Sequence, residues 1–345
     1  MANLQYFYTM NTLQRLIVMS RPIQAIIRFT KAVSLPGFKR LPLYDVLQFY
    51  WGQLVHTGIG QRAAAISFNL IIAIPAGFLF LFTIVPKLPK AIRAHFNDQL
   101  MKLITAYFTP NPATEIWLKE SISDFINIQR GGLSIIGLVL IVWATSNAMI
   151  GITESFDHSI VTKKNKTYLQ HRFTAIKLTG LLVLLVIACV ILLISEGAAL
   201  HFVLQYFKLQ NDTVKLLIKT LDWLVIILIS FLAIGSIYRY APSVHKRWRL
   251  VTPGSILTTF LLLLTTFIFS YYVNNFSNYN KLYGSVGTVI ILMLIVYFNS
   301  VVLLLGFELN NSITTLNDKY KLSVATIPGV PTSTSNAVTA STTTP

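Results

Sequence analysis

Charged residues are scarce in this chain: Asp, Glu, Lys and Arg make up only 12% of its 345 residues, where a soluble domain carries about 25%. So little polar surface excludes the ordinary water-soluble classes. Cysteine is scarcer still. The one present, Cys189, lies inside an apolar run, which rules out a disulfide framework and a cysteine-based zinc site. Catalytic motifs are missing as well. The six histidines (His56, His95, His158, His171, His201 and His245) form no H-x-x-x-H or H-x-x-E-H pair, and there is no P-loop or G-x-S-x-G. The longest stretches outside the apolar runs, 62, 45 and 38 residues, leave no room for a soluble catalytic domain. No catalytic residue, cofactor or metal ligand is assigned, and a non-enzyme is expected.

Apolar residues are what the chain has in abundance, at 54% of the total with a mean hydropathy of +0.63. They gather in six runs, at about 63–85, 131–151, 173–195, 216–238, 253–273 and 285–307. Each reaches the roughly 20 residues a helix needs to cross a hydrocarbon core of about 30 Å. Lipid offers the backbone no hydrogen-bond partners, and the runs are about twice as long as barrel strands, so helices are expected. The predicted fold class is therefore all-α: a polytopic membrane protein with six transmembrane helices.

Around the membrane domain, 43–311, lie an N-terminal segment, 1–42, and a tail, 312–345, which from Ser323 is rich in Ser, Thr, Pro and Ala and reads as mostly disordered. Leu43, Val46, Leu47, Tyr50, Trp51 and Leu54 fall at helical spacing before the first run and predict an interfacial amphipathic helix. Two more amphipathic patterns, separated by Thr109-Pro110-Asn111-Pro112, predict a helical cap over 87–130. The short stretch Leu16 to Met19 between Arg15 and Arg21 is no signal peptide.

The net charge of +16 is a matter of topology. Seventeen Lys and Arg fall in residues 1–62, the 152–172 and 239–252 loops and the tail, against nine in the intervening loops. The positive-inside rule then puts both termini in the cytoplasm. Nucleic acid is not an expected partner, since the basic residues do not interleave with aromatics on a recognisable module.

Polar residues in or beside the runs are the candidate site. Arg62, Glu154, Asp157, Arg239 and Glu308 form an expected charge cluster at the cytoplasmic edge. Asn69, Thr145, Ser146, Asn147 and Asn299 lie deeper. At about 1.5 Å per residue, Asn69 is roughly 10 Å inside Arg62 and Asn299 roughly 14 Å inside Glu308. The functional reading is a polar cavity open to the cytoplasm. The structural reading has Arg62 paired with Glu154, Asp157 or Glu308, and the asparagines bonding neighbouring helices. Pro75 and Gly77 mark a candidate hinge in the first run, and Tyr283, Gly284 and Gly287 a tight turn into the last.

These stretches resemble the YihY/BrkB family of bacterial inner-membrane proteins. Gln61-Arg62-Ala63-Ala64-Ala65 is similar to its Q-R-A-A-A opening, Trp143-Ala144-Thr145-Ser146 to its W-S-A-S, and Pro253-Gly254 to its P-G. Tyr283-Gly284-Ser285-Val286-Gly287 resembles its Y-G-S-L-G, and Leu304-Leu305-Gly306-Phe307-Glu308-Leu309-Asn310 its L-L-G-A-E-L-N. The matches fall in order over about 43–311. The chain departs from the pattern at Phe307, where a small residue is usual, and at Ile74-Pro75.

The resemblance implies an envelope role linked to serum resistance and virulence, with transport or lipid export suggested. It also brings the label ribonuclease BN, which these residues do not support. Two readings follow: a transporter of an amphipathic envelope substrate such as a lipid, or a non-transporting component that docks a partner protein. Membrane lipids are partners in both, and the oligomeric state is left open.

Overall fold

A computed structural model describes residues 41–84, 135–160, 166–185, 212–275 and 285–325, with Lys164, Ala188 and most positions from 28 to 39. The expected outer cap, 87–130, lies outside the described residues, as do Tyr283, Gly284 and Cys189. Seven helices appear, and no strand among the described residues: α1 Leu43–His56, α2 Ile59–Ile84, α3 Ile135–Asp157, α4 over 168–185, α5 Asp212–Tyr240, α6 Pro253–Asn275 and α7 Ser285–Ala325. The all-helical class holds.

Among the described residues, three helices are long and apolar enough by themselves to cross a membrane, within Trp223–Tyr240, Pro253–Tyr272 and Val289–Ser323. A fourth is added if α1 and Ile59–Pro75 are counted as one broken span. The other expected runs are helical where described.

Helix α6 shows why lipid is the solvent for these elements. Ile256, Phe260, Leu264, Phe267 and Tyr271 recur at helical spacing and are exposed, whereas Ser255, Thr258 and Thr259 are buried. That inverted pattern suits a helix whose outer face meets hydrocarbon and whose hydroxyls bond inside the bundle.

The helix limits have local causes. Gly58, at φ 60°, turns the chain between α1 and α2 in a region that other residues enter only with strain. Its carbonyl accepts from the amides of Gln61 and Arg62 to start α2. At α6, Thr252 is the N-cap: its hydroxyl accepts from the Ser255 amide at 3.1 Å, and the Ser255 hydroxyl accepts from the Thr252 amide at 2.9 Å. With Pro253 in the first turn, this reciprocal cap accounts for the P-G step before the span. Helix α2 continues through Pro75. Helix α7 does not stop near 307 but runs to Ala325, so the beginning of the expected tail is helical.

Two compact units are distinguished, Met1–His56 with Glu308–Pro345, and Thr57–Phe307. In the first, Val46 is fully buried in α1, Tyr320 donates to Asp45 Oδ2 at 3.0 Å, and Lys319 lies 4.9 Å from the Phe49 ring centre. Trp51 and Val55 on the same helix are exposed.

The core of the second unit is aromatic at its centre. Phe307 is fully buried and stacks parallel on Phe156 with ring centres 4.0 Å apart, while Trp248 and Tyr238 pack at a tilt. The large residue at 307 thus fills the centre of this core, where such pairs contribute about 1 kcal/mol beyond area burial.

Candidate functional site

Arg62 is buried near the start of α2, and its Nε and a terminal nitrogen both donate to the Ser155 carbonyl, at 3.0 and 2.7 Å. That carbonyl belongs to the last turn of α3, one of the four whose acceptors have no partner within the helix. A guanidinium there also opposes the negative end of the helix dipole. Arg62 therefore ties α2 to the end of α3, and also reaches Ser159 Oγ at 3.5 Å.

Asp157, one of the carboxylates expected beside Arg62, closes α3 and is engaged by Ser243. The Ser243 amide donates to Oδ1 at 2.7 Å and its hydroxyl to Oδ2 at 2.5 Å; His171 Nε2 is 3.9 Å from Oδ2. This clasp fixes the 241–252 loop against α3. Hydrogen bonds to a charged acceptor stabilise by about 2 kcal/mol. Asp157→Asn and Ser243→Ala are each expected to lower the melting temperature, and the double variant to lose less than their sum. A thermal-melt cycle checks this coupling; strictly additive losses would contradict it.

The deeper polar residues have separate settings. Asn69 Nδ2 donates to the Ala65 carbonyl of its own helix at 3.0 Å. The Asn69 side chain also lies so close to Gly151 that a Cβ there would come within 2.5 Å of Nδ2, which marks a tight α2–α3 contact. Ser146 is fully buried and donates to the Trp143 carbonyl at 2.8 Å. Thr145 is half-buried on α3. Asn147 Oδ1 accepts from Arg172 at 2.5 Å. Asn299 carries a buried Oδ1 with no hydrogen-bond partner among the described residues. Of the remaining candidates, Arg239 lies 5.5 Å from the Tyr240 ring centre, Glu308 is fully buried in the other unit, and Gly77 and Gly287 sit inside α2 and α7.

Two cavities open beside Lys164 and Lys166, and the second also reaches the 241–252 loop. One, of about 520 Å³, is lined by Glu154, Asp157, His158, Lys166, Tyr168 and His171 among others. The second, of about 560 Å³, shares Lys164 and Lys166 and adds Arg247 of the 241–252 loop and, from α4, Lys177 together with Phe173, Leu178 and Leu181. Neither is lined by Asn69, Asn147 or Asn299.

Burial pushes the Lys166 ammonium below its ordinary value; Asp157 opposes the shift, and Arg247 and Lys164 add to it. The basic residues of this cleft register in the sequence only as topology charges. Their one local signal is the pair Lys164 and Lys166 set just before the start of a helix.

The model of the family described as "Virulence factor BrkB" matches residues 50–324. The chain belongs to that family. This BrkB-family protein is 28% identical over 257 residues to a ribonuclease-like protein, YfkH, of Bacillus subtilis (strain 168), covering 74% of the chain and 90% of the relative. It is 27% identical over 270 residues to the UPF0761 membrane protein Smlt0865 of Stenotrophomonas maltophilia (strain K279a), covering 77% of the chain but only 60% of the relative's length. With a UPF0761 membrane protein of Tolumonas auensis it shares 24% over 261 residues, 75% of the chain and 82% of the relative. No solved structure matches it. The resemblance read from the ordered motifs is thus the family itself, and the protein is a membrane protein of that family.

Proposed function

We propose that this BrkB-family protein moves an amphipathic envelope substrate, a lipid or its precursor, across or within the bacterial inner membrane, with both termini in the cytoplasm. The observation that carries the reading is the second cavity. Its lining combines the cationic Lys164, Lys166, Lys177 and Arg247 with the apolar Phe173, Leu178 and Leu181 of α4, and a cleft that offers both kinds of surface suits an amphipathic molecule.

The buried Oδ1 of Asn299 on α7, without a donor among the described residues, supports the reading, because a buried acceptor without a donor is costly unless a ligand or water supplies one. Ribonuclease chemistry forms no part of the proposal. Cleaving a phosphodiester needs clustered metal ligands or a paired acid and base, and purified protein is expected to leave RNA intact with or without divalent metal.

The test is purification in native lipid with mass spectrometry of what stays bound, followed by leaflet-movement assays of that species in proteoliposomes. Enrichment of one amphipathic species, together with its movement between leaflets, is the expected result. A lipid profile identical to the bulk membrane overturns the proposal. A retained species that does not change leaflet favours the docking component instead.

A further inference from the structure

The second cavity carries unbalanced charge. Lys164, Lys166, Lys177 and Arg247 line it, with no carboxylate among its described lining residues. Asp157 acts on Lys166, but both of its oxygens already accept from Ser243; Glu154 lines the first cavity, which shares Lys164 and Lys166, and not the second. Like charges gathered in one partly desolvated cleft repel one another, more strongly than they would in water.

The backbone adds to the same field. Helix α4 begins beside the cleft, and its start is fixed by Thr167, whose amide donates to Gln170 Oε1 at 3.2 Å. A helix start is the positive end of the dipole and favours acidic neighbours, yet here Lys164 and Lys166 precede it. Two independent features, a side-chain cluster and a helix terminus, therefore raise the potential at one place, and an anion there would relieve both.

We infer that this cleft binds a phosphate group, held between Lys166 and Arg247, with Lys164 and Lys177 at its mouth. Arginine offers a planar fork matched to phosphate oxygens, and lysine a compact point charge. Basic pockets between membrane helices take lipid head groups by the same chemistry. The inference rests on reading the cleft as a ligand site, and stands whether or not the ligand is moved. A phospholipid head group and free phosphate offer the same oxygens. The apolar side chains of Phe173, Leu178 and Leu181 in its lining give acyl chains a surface that free phosphate does not use.

The experiment titrates the purified full chain with dioctanoyl phosphatidic acid, dioctanoylglycerol and inorganic phosphate, and records melting of each unliganded variant. In Lys166→Gln with Arg247→Gln, affinity for phosphatidic acid is expected to fall on the order of a hundredfold, about tenfold for each cationic side chain neutralised. Dioctanoylglycerol binding should not change. The control, Lys246→Gln with Arg249→Gln, removes the same charge from exposed neighbours of Arg247 that do not line the cleft and should change binding less than about twofold. The unliganded Lys166→Gln, Arg247→Gln variant should melt no lower than the parent, since repulsion is relieved.

Inorganic phosphate bound in the parent and lost in that variant would assign the site to the phosphate alone; binding of phosphatidic acid only would assign it to a head group with its chains. Should the first variant fold poorly, Lys164→Gln with Lys177→Gln at the exposed mouth gives a second reading in the same direction. Unchanged affinity, or an equal loss in the control, overturns the assignment. A retained substrate with no dependence on phosphate would defeat this inference and leave the transport proposal standing, whereas phosphate binding without leaflet movement would do the reverse.

Discussion

Gly306→Ala is expected to lower the stability of the membrane domain by about 3 kcal/mol, at the upper end of the range for overpacking a filled core. A Cβ at position 306 would overlap Thr258 Oγ1 and lie 2.6 Å from the Gly254 carbonyl oxygen and 2.7 Å from the Tyr238 hydroxyl. The carbonyl is backbone at the start of α6 and cannot turn aside. The Tyr238 hydroxyl, fully buried, donates to the Leu303 carbonyl at 2.7 Å and accepts from Thr258 Oγ1 at 2.5 Å, so displacing it breaks the polar contact that joins α5, α6 and α7.

Gly180→Ala is the internal control. Among the described residues nothing lies within 4 Å of a Cβ at that position of α4, and an alanine in a helix interior is favoured over glycine by roughly 0.5–1 kcal/mol. Melting in detergent should therefore fall sharply for Gly306→Ala and hold or rise for Gly180→Ala. Thr258→Ala added to Gly306→Ala should recover only part of the loss, because the Gly254 carbonyl remains in the way. Equal melting of the two single alanine variants would refute the close approach of α7 to α6.

How far the sequence foretells this arrangement depends on whether the cause is local or distant. Helix positions are legible because hydropathy and caps are local: the expected fifth run begins at Pro253, and α6 begins there too. Helix α3 runs on to Asp157, past the expected end of its apolar run, because Arg62 and Ser243 engage its last turn from segments far away in the chain. Helix α7 continues to Ala325 where hydropathy falls, with Val46 and Ile313 buried in the unit that includes its end.

The edge charges stand out in the sequence as a group of interest, but their partners cannot be named from it, since the carboxylate-or-carbonyl choice is made by tertiary geometry. The cleft escapes notice for the same reason: Lys166 and Arg247 are far apart in sequence, and each looks like an ordinary topology charge.

Arg172 is the other residue whose role only the fold reveals, and its loss should have the second large effect. It is 5% exposed. Its guanidinium donates to Asn147 Oδ1 at 2.5 Å and to the Trp143 carbonyl at 2.9 Å, and its Cζ lies 3.3 Å from the Trp143 ring centre. Charge-assisted bonds and a desolvated cation–π contact are each worth about 2 kcal/mol, so Arg172→Ala should reduce stability by about 3 kcal/mol once relaxation is allowed for. Arg172→Lys should recover little, because an ammonium cannot stack on the ring while bonding two acceptors.

Asn147 decides what this contact is for. As the acceptor for a buried cation, Asn147→Leu leaves a charged donor unpaired and should cost about 2 kcal/mol, whereas Asn147→Asp should preserve or strengthen the pair. In the Arg172→Ala background the same Asn147→Leu change should be nearly neutral, giving a coupling of about 1–2 kcal/mol between the two sites. As a ligand-facing residue of a polar cavity, Asn147→Leu would instead leave melting and membrane level unchanged while an envelope phenotype is lost. Melting, level and phenotype measured on the same four chains separate the two, and a normal melting temperature with lost phenotype would overturn the structural assignment of Asn147.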